Sequence, residues 1–179
     1  MANEAYQKFI NFFQKHNLYD KEIFDYLRLN SILFDYHDED TRPFIGCYHI
    51  LDKDLKLKKI QLCIPFIMDE KTILINIHEY THGILLYKYL NKKIKINNDC
   101  ETLPLLMERI YLEENPNQEL KEYIEKLNTK IQKDTSIEAQ KYKIALSIQE
   151  ELLTYYNKTH NFDKVKNKSK KLYRKQHVK

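Results

Sequence analysis

Glycine is nearly absent. Gly46 and Gly83 are the only two in 179 residues, and they stand far apart. A glycine-rich phosphate loop cannot be built from them, so that route to nucleotide binding is excluded. With only four prolines as well, the chain lacks the turn residues that many-stranded sandwiches and barrels require. There is no tryptophan. Cysteine is limited to Cys47, Cys63 and Cys100, an odd number with no CxxC pair, which argues against a disulfide framework. No apolar run approaches the ~18 residues of a membrane span, and the start MANEAYQKFINFF lacks a basic region followed by an apolar one. These absences lead us to expect a reduced, soluble, cytoplasmic protein without membrane segments.

What is present argues for a folded, helix-rich chain. Apolar residues make up 42% of it, enough to build a core. The net charge of +4 is unevenly spread. Residues 157–179 hold nine Lys/Arg and one Asp, a net of +8, so the remainder is mildly acidic at −4. The basic stretch reads as a solvated tail. It leaves nucleic acid open as a partner, although its aromatics, Phe162 and Tyr173, are too few for a stacking platform. We therefore expect one domain over 1–159 and a basic C-terminal tail over 160–179.

Along the chain, residues 4–16 carry apolar side chains at helical spacing, and Asp20 predicts a second helix burying Ile23, Phe24, Leu27 and Leu33. A turn-prone stretch follows from His37 to Arg42. Residues 44–50 and 57–64 read as strands of an antiparallel hairpin, closed by Pro65. Asp69 predicts the cap of a long helix over about 70–91. Further helices are expected from Asp99 or Thr102 to Glu114, and from Asn115-Pro116 onward. Thr135 and Glu138 suggest a capping box for a last long helix to about Tyr156. The predicted class is α+β, mostly helical, with a small antiparallel hairpin beside one central helix.

That central helix carries His78-Glu79-Tyr80-Thr81-His82. Histidines at i and i+4 share one helical face, so both imidazoles can reach one zinc ion. The intervening Glu79 is placed to take a proton from the water that the metal activates. With seven histidines in the chain, random order would give roughly 0.02 such motifs. The flanks Asn76, Ile77, Gly83 and Ile84 are uncharged, as a helix lying beneath an active site requires. Gly83 costs about 1 kcal/mol against alanine in a helix, which suggests that another backbone comes close there.

A catalytic zinc takes three protein ligands and keeps one position open. The later stretch Cys100-Glu101-Thr102-Leu103-Pro104-Leu105-Leu106-Met107-Glu108 offers Glu101, 19 residues after His82, and Glu108, two helical turns further. Asp99 and Cys100 are the other candidates. HEYTHG followed by ETLPLLME resembles the catalytic core of the thimet oligopeptidase and oligopeptidase F family, over residues 72–108. The resemblance implies a gluzincin metallopeptidase holding one zinc per chain. It makes Glu101 the third ligand, and Glu108 the acid that supports a ligand imidazole. The family's large lobes cannot fit in 179 residues, so a stripped core with an open cleft is implied.

The same resemblance implies a tyrosine donor for the tetrahedral oxyanion. Tyr142, in the stretch Tyr142-Lys143-Ile144-Ala145, is similar to the tyrosine-bearing helix of the oligopeptidase F branch; Tyr155, Tyr156 and His160 are weaker candidates. The strand over 57–64 is expected to offer an edge to an extended peptide. The expected substrate is a peptide or an unfolded protein segment. The competing reading is a non-catalytic zinc-binding module on the same fold, but the presence of Glu79 favours catalysis.

Overall fold

Helix starts are written locally in this chain, and the computed structural model, which describes residues 2–36, 45–90 and 101–177, shows most of them in use. Asp20 accepts from the Ile23 amide and begins a helix. Asp69 and Thr72 exchange reciprocal hydrogen bonds to begin another. Asn117 and Ser136 do the same work through the amides of Leu120 and Ala139. The fold is a mostly helical α+β fold, and its packing divides into two compact units, Met1–Ile96 and Asn97–Lys179.

The first unit runs α1 (Ala2–Lys15), α2 (Lys21–Leu29), β1 (Ser31–Phe34), β2 (Gly46–Leu51), β3 (Leu57–Pro65) and α3 (Glu70–Tyr87). The expected hairpin is present: β2 and β3 pair antiparallel from Gly46↔Cys63 to Leu51↔Leu57. One strand was not foreseen. Ser31–Phe34, expected to continue the second helix through Leu33, pairs parallel with β3 from Ser31↔Leu62 to Phe34↔Pro65. A short apolar run such as Ser-Ile-Leu-Phe carries no periodicity that separates strand from helix. The parallel edge offered by β3 decides it.

The sheet order is β1-β3-β2, so β3 is central. This corrects the expectation that 57–64 offers an edge to a peptide: β2 pairs along one side of the strand, β1 pairs on the other over Leu62–Pro65, and the outer strand of the hairpin is β2. Ile60, Leu62 and Ile64 of β3 are buried, as are Ile73, Leu74 and Ile77 of α3, which packs across β3 and β2. α1 and α2 pack against α3 as well. They meet Tyr80 in an aromatic cluster, with ring centroids 5.0 Å from Phe9 and 5.2 Å from Phe24.

The second unit runs α4 (Thr102–Glu114), α5 (Gln118–Lys133), α6 (Ile137–Ser147), α7 (Gln149–Thr159) and α8 (Phe162–His177). Two expectations change here. The long helix to Tyr156 is two helices, broken at Ile148, and Ser136 rather than Thr135 caps the first of them; the side chain of Glu138 lies outside the described residues. The basic segment read as a solvated tail is α8. It packs against α7, α4 and α6 and buries Val165, Ser169 and Tyr173 along one face. Three small or amphipathic residues at i, i+4 and i+8 suffice, because lysine stems cover the flanks while their ammonium groups stay in water. The turn-prone stretch from His37 to Arg42, and Asp99 and Cys100, lie outside the described residues.

Candidate metal centre

α3 is held from both ends of its first turns. The Thr72 amide donates to Asp69 Oδ1 at 2.8 Å, and Thr72 Oγ1 accepts from the Asp69 amide at 3.0 Å. One turn later, fully buried Asn76 donates through Nδ2 to the Pro65 carbonyl at 3.0 Å and to the Thr72 carbonyl at 2.8 Å. This amide ties the helix to the end of β3 and fixes its rotation. Thr81 Oγ1 donates back to the Ile77 carbonyl at 2.7 Å, so its hydroxyl is satisfied inside the helix. The uncharged flanks noted in the sequence thus have definite tasks.

Gly83 has one too. A Cβ there would stand 2.7 and 2.8 Å from the two δ-methyls of Leu27, which is fully buried. The glycine lets α2 lie against α3, and the close neighbour is a side chain rather than a backbone.

On the other side of α3, His78 is buried, His82 is half-buried, and their Nε2 atoms face each other at 3.1 Å. Glu79 is buried beside them at 8% exposure. Its charge is felt on β3: the Cys63 thiol is pushed above its usual range, first by burial and then by the negative charge of Glu79.

Glu101 is the residue before the first turn of α4, where a side chain would normally cap the helix. Its carboxylate makes no capping hydrogen bond. The carbonyl of the first residue of α4 is bound by Gln149, a buried residue that the sequence reading did not single out. Its Nε2 donates to the Thr102 carbonyl at 3.0 Å and to the Ala145 carbonyl at 3.1 Å.

His78, His82 and Glu101 each offer one ligand atom, and these atoms lie within 4.8 Å of one another. The group can hold a metal ion. Two imidazole nitrogens at zinc distances of about 2.0–2.1 Å, with tetrahedral angles, would stand about 3.4 Å apart. The Nε2 pair is close to that separation without rearrangement.

The remaining sequence candidates are placed as follows. Glu108 is half-buried on α4, two turns beyond Glu101. Tyr142 is half-buried on α6. Tyr155 carries the Lys168 ammonium over its ring at 4.6 Å, and Tyr156 is buried, its hydroxyl pushed up in pKa first by burial and then by Glu114. His160 is exposed and ends α7 in the left-handed region at φ 43°. Among the described residues, no helix is long and apolar enough to cross a membrane. No family model, curated protein or solved structure matches the chain.

Proposed function

We propose that this chain is a zinc-dependent peptidase, with His78, His82 and Glu101 holding one zinc ion and Glu79 acting as general base. The observation that carries the reading is the convergence of two imidazole nitrogens and one carboxylate oxygen within 4.8 Å, with a buried carboxylate on the adjacent helical position. Two nitrogens and one oxygen are the donor set of a catalytic zinc, which keeps a further position open. Bound there, zinc would supply Lewis-acid polarisation of a carbonyl and a water of lowered pKa.

The chain's own residues do the rest. Glu79 accepts the proton of the attacking water and returns it to the departing amine. Its burial keeps water from competing for that proton. The structural hold of Asn76 on β3, and of Gln149 on the first turn of α4, keeps the ligand residues in place. β2, the outer strand of the hairpin, is the place for an extended peptide to add through backbone hydrogen bonds. We place the chain beside the thimet oligopeptidase and oligopeptidase F family on HEYTHG and ETLPLLME alone, and assign Tyr142 as oxyanion donor on the same basis.

The test is Glu79→Gln. The variant keeps the shape of the site, so it should retain about one zinc per chain while turnover of a peptide library falls by roughly 10²–10⁴-fold. His82→Ala should lose the metal under chelator challenge. Wild-type turnover by Glu79→Gln with zinc in place removes Glu79 as the base. A fully loaded wild type that cleaves no peptide makes the site a binding module instead.

A further inference from the structure

The charge on α8 is sorted by face. Val165, Ser169 and Tyr173 point into the second unit. Lys168 sits at the border, its Nζ 2.9 Å from Glu151 and 4.6 Å above the Tyr155 ring, so it is engaged internally. The outer stripe is different. Lys164, Lys171, Arg174 and Lys175 are all exposed, share one face by helical spacing with Asn167 between them, and make no ion pair with another described residue. Of the nearby acids, Glu151 is drawn to Lys168 and Glu150 lies 2.5 Å from Arg109; Asp163, exposed in the first turn of α8, offsets one of the four charges and leaves the face at +3. From Lys164 to Lys175 the stripe extends about 16 Å, at 1.5 Å per residue.

We propose that this face of α8 binds the phosphate backbone of duplex nucleic acid without regard to sequence. The other occupants fit it less well. A membrane-surface helix must bury its own apolar face in lipid, and here that face is already buried among α7, α4 and α6. A protein partner needs aromatic or aliphatic anchors at the centre of its interface, and the outer stripe has only charged residues and Asn167. Single strands need stacking surfaces, and the aromatic residue of the helix middle, Tyr173, is buried. A duplex needs only cations at intervals along a line, and counterion release drives the association. The proposal is independent of the peptidase reading, because it uses none of the residues of the metal centre.

The experiment is fluorescence anisotropy of the full chain against a random-sequence DNA duplex, titrated between 50 and 200 mM salt. Four phosphate contacts predict a slope of about −3.6 in log affinity against log salt, or roughly a 150-fold loss over that range. Lys171→Ser/Arg174→Ser/Lys175→Ser should flatten the slope to about −1 with helix content unchanged by circular dichroism. A matched triple, Lys121→Ser/Lys126→Ser/Lys133→Ser on α5, removes the same charge elsewhere and should leave the slope near the wild-type value. Absence of duplex binding at 50 mM salt overturns the proposal. So does an equal effect of the two triples, which would reduce the matter to net charge. Preferential binding to vesicles of phosphatidylserine and phosphatidylcholine over the duplex would assign the face to a membrane and overturn it as well.

Discussion

Tyr80 and Gly83 lie on the opposite side of α3 from the histidines and show how much single residues there control. Burial pushes the Tyr80 hydroxyl up to about 12, with Tyr6 adding to the effect. The neutral phenol is therefore favoured by the fold. In the unfolded chain the group titrates near 10, so its contribution is complete below that pH and is lost as pH rises from 10 to about 12. Wild type should lose about 2 kcal/mol more than Tyr80→Phe between those limits, by denaturant midpoints. Parallel pH curves for the two proteins would refute this. Gly83→Ala pits about 1 kcal/mol of helix propensity against the cost of displacing buried Leu27, typically 1–3 kcal/mol. A net loss of about 1 kcal/mol is expected. In a Leu27→Ala background the same change should turn stabilising, and a double-mutant cycle in the same assay measures the reversal.

At the scale of elements, the informative feature is the break at Ile148. Gln149, the first residue after it, donates to the Thr102 carbonyl of α4 and to the Ala145 carbonyl of α6. Gln149→Leu keeps the volume but leaves two buried carbonyls without that donor. It should cost about 1–3 kcal/mol in a urea titration. By loosening the turn that carries Glu101, it should also weaken zinc retention by roughly 10–100-fold, the usual effect of losing a group that supports a ligand. Unaltered zinc affinity in a destabilised variant would separate the two roles. The same break explains why sequence reading ran α6 into α7. Both sides of Ile148 have good helical patterning, so nothing local in the sequence marks the interruption.

For the whole molecule, the C-terminal segment has the largest consequence. Read as a solvated tail, residues 160–179 should be dispensable; packed as α8, they are not. Deleting 162–179 removes Val165 and Tyr173 and exposes the surfaces they cover. The expected loss is about 3–6 kcal/mol, from the lost burial of these two side chains and of their contacts. Chemical denaturation of the truncated and full chains checks this, and equal midpoints would restore the tail reading.

The sequence by itself determined the features written in short-range chemistry. Asp20 and Asp69 start their helices wherever those helices lie, because a capping carboxylate needs only amides three residues on. His78 and His82 meet because i and i+4 meet on any helix, and Glu79 comes with them. The β2–β3 hairpin follows from two apolar runs joined by a short polar link. The tertiary structure alone decided what depends on a partner distant in sequence. Ser31–Phe34 became a strand because β3 offered an edge. β3 became central for the same reason and ceased to be an edge. α8 folded onto its unit because α7, α4 and α6 present a surface that three residues at helical spacing can fill. The convergence of Glu101 with the two imidazoles belongs to this class too. Glu101 stands 19 residues beyond His82 in sequence, and no local periodicity pairs a carboxylate at that separation with the two imidazoles.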